Sequence, residues 1–369
     1  MDVQATTKGG CLNSRERVLT AINHQEPDRV PINYMANPDI DRRLKAHFGL
    51  SQDDNLGLYR ALGVDFYHLF PLYTGPAIHP GMEGRNVDEW GVRTRWIEHG
   101  SGGYWDFCDF PLQDAEGEEL AQYELPNPDH YDFDTVIKQF RQQDGFCRIT
   151  GHPGVGDIIN HTGRLRGQEQ VLCDLALRDE AYLALVDRYV DQQLGMFERL
   201  MTKAKGLIDV FWMGEDLGTQ IAPIISPEMY RELIRPRHQK YVDLAKSFDL
   251  PVMIHSCGSS SWAFDDFIEM GIQVVDTLQP EAANMSPEYL KKNFGGRLAF
   301  HGCISTAGPV ASGTVEETIA DCRKKLEILM PGGGYCFAPT HALQDNSPTE
   351  NVVAMYETAR ANGCYRAER

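Results

Sequence analysis

The sequence predicts one (β/α)8 barrel spanning residues 1–369, and three observations lead there. Eight short apolar runs recur along the chain, nearly all followed by a helical pattern. No run opens into a Gly-x-Gly-x-x-Gly turn, and no Gly-Lys-Ser/Thr loop is present, which sets aside an open nucleotide-binding sheet. Imidazoles, thiols and carboxylates also collect at the ends of the runs, where a barrel gathers its ligands.

Taken in order, residues 12–23 read as a capped amphipathic helix, and 30–32 as the first strand. Helices are expected over 40–48 and 56–62, then a strand over 65–69. Residues 73–123 are Gly-rich and aromatic, with no helical pattern; short antiparallel strands covering one barrel mouth fit best. After the breaker Leu125-Pro-Asn-Pro-Asp129 the alternation turns regular. Strands are expected at 147–150, 207–213, 252–255, 273–277, 297–300 and 334–337. Helices are expected at 133–143, 168–177, 180–204, 227–248, 262–270, 287–294, 315–329 and 349–361.

Composition narrows the partners. With 35 Lys and Arg against 53 Asp and Glu, the net charge is -18, and no basic run invites nucleic acid or an anionic membrane. No apolar stretch reaches membrane-spanning length, and residues 1–14 lack a signal-peptide layout. Nine scattered cysteines, an odd number, point to a reducing cytoplasmic setting rather than a disulfide framework.

The stretch of greatest interest is Pro251-Val-Met-Ile-His-Ser-Cys-Gly258. His255 and Cys257 stand two apart at the end of a strand, so both side chains point the same way. Nitrogen and thiolate sulfur together suit Zn²⁺, which needs three protein ligands when one position stays open. Two residues compete for the third place: His341, in the loop after the last strand, and Cys303, in the echo His301-Gly-Cys303. Asp65, His152, Glu215 and Asp216 are expected at the same mouth. Each also has an ordinary reading: Asp65 as a turn cap or the partner of an Arg, His152 as a loop hydrogen bond, Glu215 and Asp216 as solvated helix caps, and Cys303, like Cys336, as a buried thiol.

Several pieces resemble the uroporphyrinogen decarboxylase superfamily. They are Ser14-Arg-Glu-Arg-Val, Glu26-Pro-Asp-Arg-Val-Pro31, Ile254-His-Ser-Cys-Gly258, Ala338-Pro-Thr-His341 and Asn346-Ser-Pro-Thr-Glu-Asn351, and together they span essentially the whole chain. The resemblance implies a (β/α)8 barrel with one of two chemistries: metal-free porphyrinogen decarboxylation, or zinc-dependent methyl transfer to or from a cobalamin-bearing corrinoid protein. The decarboxylases carry an arginine-rich segment after the first strand, whereas this chain has Ile32-Asn-Tyr-Met-Ala-Asn-Pro38. His-x-Cys favours the methyltransferase branch, although His341 stands where those enzymes place a cysteine.

That branch implies Zn²⁺ on His255, Cys257 and His341, with Cys303 as the alternative third ligand. Of the two adjacent carboxylates, Glu215 is expected to face the metal, and Glu215, Asp216 and Asp65 are the candidate catalytic groups. Gln220, His152 and Tyr34 are the candidate substrate contacts. The expected partners are a small methylated substrate and a corrinoid protein, with a homodimer allowed. A porphyrinogen-like decarboxylase and a non-catalytic zinc-retaining barrel are the alternatives.

Overall fold

The computed structural model describes residues 11–99 and 102–365; residues 1–10, part of the segment read above for a signal peptide, lie outside the described residues. Seven parallel strands follow one another in chain order: Phe66–Leu69, Cys147–Gly151, Val210–Gly214, Val252–His255, Val274–Thr277, Ala299–Ile304 and Tyr335–Pro339. The expected first strand at 30–32 is reduced to a bridge, with Ile32 paired in parallel to Phe337. Even so, it closes the barrel. The N–H of Phe337 donates to Pro31 O at 2.8 Å, that of Asn33 to Phe337 O at 2.9 Å, and that of Asp65 to Ile32 O at 2.8 Å. Pro31 has no N–H to continue a ladder, which keeps the segment short.

Two apolar layers hold the barrel. The larger lies between strands and outer helices. The smaller fills the interior with Phe66, Ile149, Val210, Met253, Val274, Ala299 and Cys336, and is stoppered from below by Val18, Ala21 and Ile22 of the helix Ser14–Ile22. Asn13 caps that helix in a capping box with Glu16, as its sequence predicts.

Residues 73–123 form the expected antiparallel excursion, Asn86–Val87, Arg93–His99 and Gly102–Phe107, with Trp96 opposite Trp105. Trp90 anchors it, its ring edge-on to His161 (4.8 Å) and Tyr189 (5.2 Å). The excursion also holds a short helix, Glu118–Gln122, which its composition did not predict. A further unpredicted helix, Ile158–Arg166, starts where Asp157 caps the backbone N–H of Asn160. The long helix expected at 227–248 is interrupted by a π turn, Tyr230–Ile234. No helix among the described residues is long and apolar enough to cross a membrane.

Candidate metal centre

Alternation along the strands decides which side chains meet. Met253, Val274 and Ala299 point into the barrel, so His255, Asp276 and His301, each two residues further on, point there as well. Register places His255 beside Asp276, and Asp276 beside His301. The apolar floor therefore gives way to a polar ring at the carboxyl ends of the strands.

Asp276 serves both imidazoles. Its Oδ2 lies 2.6 Å from His255 Nδ1 and its Oδ1 lies 2.6 Å from His301 Nδ1. Thr277 Oγ1 stands 2.7 Å from His255 Nδ1. With Nδ1 so engaged, His255 turns Nε2 towards Cys257 Sγ (3.2 Å) and Asp216 Oδ1 (3.8 Å). Burial disfavours a charged His255 ring, but Cys257 and Asp276 beside it outweigh that and hold the imidazole well above its usual value, while burial raises the Cys257 thiol as well. The pocket between these three residues thus favours positive charge.

The ligand atoms of Asp216, His255 and Cys257 all lie within 4.8 Å of one another. Nitrogen, thiolate and carboxylate around one point, with a carboxylate behind the imidazole, match what a zinc site requires. Two glycines allow the loops to meet there. Gly258 has φ +69°, and a Cβ on it would lie 2.1 Å from Gly218 O; a Cβ on Gly218 would lie 2.4 Å from Ser259 N. The approach lets Asp216 Oδ1 accept the N–H of Cys257 at 2.9 Å.

The same alternation corrects the choice between the adjacent carboxylates. Trp212 faces the interior, so Asp216 faces inward and Glu215 outward. Glu215 is buried, and it accepts the N–H groups of Ile158 (2.9 Å) and Ile159 (3.0 Å) at the start of the helix Ile158–Arg166. Burial, opposed by those hydrogen bonds, pushes its carboxyl up to about 8. Glu215 anchors a helix, and Asp216 is the carboxylate that joins His255 and Cys257.

Other expected site residues lie elsewhere. Asp65 precedes the strand Phe66–Leu69, at the opposite end of the barrel, where it takes Arg17 Nη1 (2.7 Å), Arg29 Nη1 (2.6 Å) and Ser14 Oγ (2.7 Å). Cys303 does not continue the inward face of His301. Gly302 (φ +111°) and Cys303 (φ +76°) break the alternation and turn the thiol into the outer core, where burial pushes it up to about 12. His341 is exposed, with Nδ1 3.2 Å from Gln344 Nε2, and stands outside the three-residue group. Gln220 is exposed on a loop; its backbone carbonyl accepts the N–H of Ala283.

Tyr34 and His152 do meet, in the wall of a cavity of about 650 Å³ that also includes His68, Phe70 and Trp212. Tyr34 places its hydroxyl 3.3 Å from Asp41 Oδ1. His152 accepts the N–H of Gly154 at 3.1 Å and is exposed to solvent at the cavity rim. The Trp212 ring lies 5.2 Å from His68 and 6.5 Å from His255, so it borders both the cavity and the metal donors.

The profile of the family "Uroporphyrinogen decarboxylase (URO-D)" matches residues 167–362, more than half of the sequence. The chain belongs to the uroporphyrinogen decarboxylase family. No curated protein matches it. Among solved structures, a methyltransferase from Methanosarcina mazei superposes with a TM-score of 0.67 at 16% identity, covering 95% of this chain and 99% of its own. Xylanase 10B from Thermotoga maritima reaches only 0.37 at 13% identity, over 64% of this chain and 82% of its own.

For a uroporphyrinogen decarboxylase family member, the residues that sequence reasoning passed over are informative. Asp276 was legible as a lone carboxylate in an apolar strand, since a buried charge demands partners. Asn33 and His68 carried no such signal, because only barrel closure brings the segment after Ile32 against Phe66–Leu69 and Ala299–Ile304.

Proposed function

We propose that this protein is a zinc-dependent methyltransferase that moves a methyl group between a small methylated substrate and a corrinoid protein. One observation carries the reading: Asp216, His255 and Cys257 converge within 4.8 Å at the carboxyl ends of the strands. The Methanosarcina mazei neighbour, a methyltransferase with the same fold, supports it. Bound there, Zn²⁺ would supply a Lewis acid for the heteroatom that carries or accepts the methyl group.

The chain's own residues do the positioning. Asp276 holds the proton of His255 on Nδ1 and leaves Nε2 free as a ligand. The Cys257 N–H fixes the orientation of the Asp216 carboxylate. Trp212 walls the cavity beside this group, where a substrate would be held away from bulk water. A porphyrinogen-like polycarboxylate finds little support, because no Lys or Arg lines the cavity among the described residues.

The test is elemental analysis of the purified protein together with Cys257→Ala, Asp216→Ala and His341→Ala. About one zinc per chain, lost in the first two variants and kept in the third, is expected. The cobalt spectrum of an added corrinoid protein should then change with a methylated donor. A metal-free parent after zinc supplementation, or an unresponsive cobalt spectrum with every methylated donor, overturns the reading.

A further inference from the structure

A chain of hydrogen bonds runs from the metal centre to the cavity wall, and its donors and acceptors can be assigned one by one. Asp276 stands between two ring nitrogens, His255 Nδ1 and His301 Nδ1, each at 2.6 Å, and as their shared acceptor it takes Nδ1–H from His301. The His301 Nε2 lone pair then takes a proton from Asn33 Nδ2 at 3.0 Å. The orientation of the Asn33 amide is independently fixed, because its Oδ1 accepts the N–H of Tyr34 at 2.8 Å. Its second Nδ2 proton faces His68 Nε2 at 3.1 Å, nearer than the 3.3 Å from that nitrogen to Asn33 Oδ1, which the Tyr34 N–H already occupies. His68 therefore accepts at Nε2. Burial pushes its ring down to about 4, so at neutral pH it is uncharged and its one proton sits on Nδ1.

No partner for that Nδ1–H occurs among the described residues, and the His68 ring lines the cavity. A histidine with a purely structural role would be expected to satisfy both nitrogens. Around it the cavity is aromatic, with Tyr34, Tyr59, Phe70 and Trp212 in its wall. Among the described residues its one formally charged lining residue is Asp41, which is paired to Lys45 at 2.6 Å. Such a wall offers no cation to a carboxylate or sulfonate and accommodates a neutral ring.

We propose that His68 orients the substrate: its Nδ1–H, fixed in that tautomer by Asn33, donates to an uncharged oxygen of a ring-sized molecule bound beside Trp212. That this molecule exchanges a methyl group rests on the methyltransferase reading; its binding does not.

The test uses ¹⁵N-histidine NMR of the whole chain, metal-stripped and zinc-loaded, with methoxybenzene, phenol and benzoate as probes. The parent should show His68 protonated on Nδ1, and the Nδ1 signal should move with methoxybenzene but not with benzoate. His68→Phe keeps the ring and removes the donor. It should weaken methoxybenzene about tenfold, the value of one hydrogen bond, while zinc content stays at the parental level. Asn33→Asp replaces the donor facing Nε2 with an acceptor, so the proton should move to Nε2 and preference should swing from methoxybenzene to phenol. A His68 proton on Nε2 in the parent overturns the proposal whether or not the variants fold. So does tighter binding of benzoate, or undiminished methoxybenzene affinity in His68→Phe. Methoxybenzene binding through His68 without any cobalt response would sink the methyl-transfer reading alone.

Discussion

Asp276 Oδ2 lies 2.6 Å from His255 Nδ1, on the side of the ring opposite Cys257 and Asp216. This commits Nδ1 of His255 to Asp276 and leaves Nε2 as the nitrogen that can hold a metal. In Asp276→Asn the amide can still occupy the space but no longer favours the basic imidazole. Metal affinity should fall about 10- to 100-fold, as for other carboxylates that support a metal-bound histidine. Competition against a chromophoric chelator measures it, and an unchanged affinity would show that Asp276 serves only to balance charge in the barrel.

Gly258 makes a sharper prediction. Its φ of +69° alone costs a substituted residue about 1–2 kcal/mol. The added Cβ would also sit 2.1 Å from Gly218 O, so the loops bearing Cys257 and Asp216 must part. Gly258→Ala should thus reduce zinc content without touching a ligand. Full zinc occupancy in that variant would mean that the two loops move freely, contrary to their close contact.

These loops also show how far the sequence alone could go. The strand ends were readable because apolar runs alternate with helical patterns, and His255 and Cys257 followed from a period of two. The same period extended from Trp212 selects Asp216 over Glu215. Cys303 was readable as a buried thiol, but the turn that takes it there was hidden, because nothing in His301-Gly-Cys303 announces two consecutive positive φ values. Asp65 misled for a different reason: it begins its strand rather than ending it, and its partners Arg17 and Arg29 lie far from it in the chain.

Asp65 accordingly predicts a stability effect with no effect on the centre. It is fully buried and receives Arg17, Arg29, Ser14 and the N–H of Ile32. Asp65→Ala leaves the nearly buried Arg17 without one of its two carboxylate partners, a loss on the order of 3–5 kcal/mol. Urea denaturation measures this, and zinc content per folded chain should stay at the parental level. Loss of zinc at full stability would return Asp65 to the functional site.

The last prediction concerns acid. His161 is buried, stacked on Tyr189 at 4.2 Å, and its Nε2 has no hydrogen-bond partner among the described residues. Burial, followed by the charge of Arg164, pushes its ring down to about 3, against 6.5 for a free histidine. The unfolded chain therefore binds the proton more readily than the folded one. Stability from this residue is fully present above pH 6.5 and is lost progressively as pH falls from 6.5 towards 3. Between pH 7.5 and pH 5 the loss amounts to about 2 kcal/mol from His161 alone. His238, fully buried and held down to about 4, adds to it in the same direction. His161→Phe keeps the stack on Tyr189 and removes the titrating group, so the urea midpoint of the variant should depend less on pH over this range. An identical pH dependence in parent and variant would mean that His161 gains a partner or water in solution, and that its ring titrates normally.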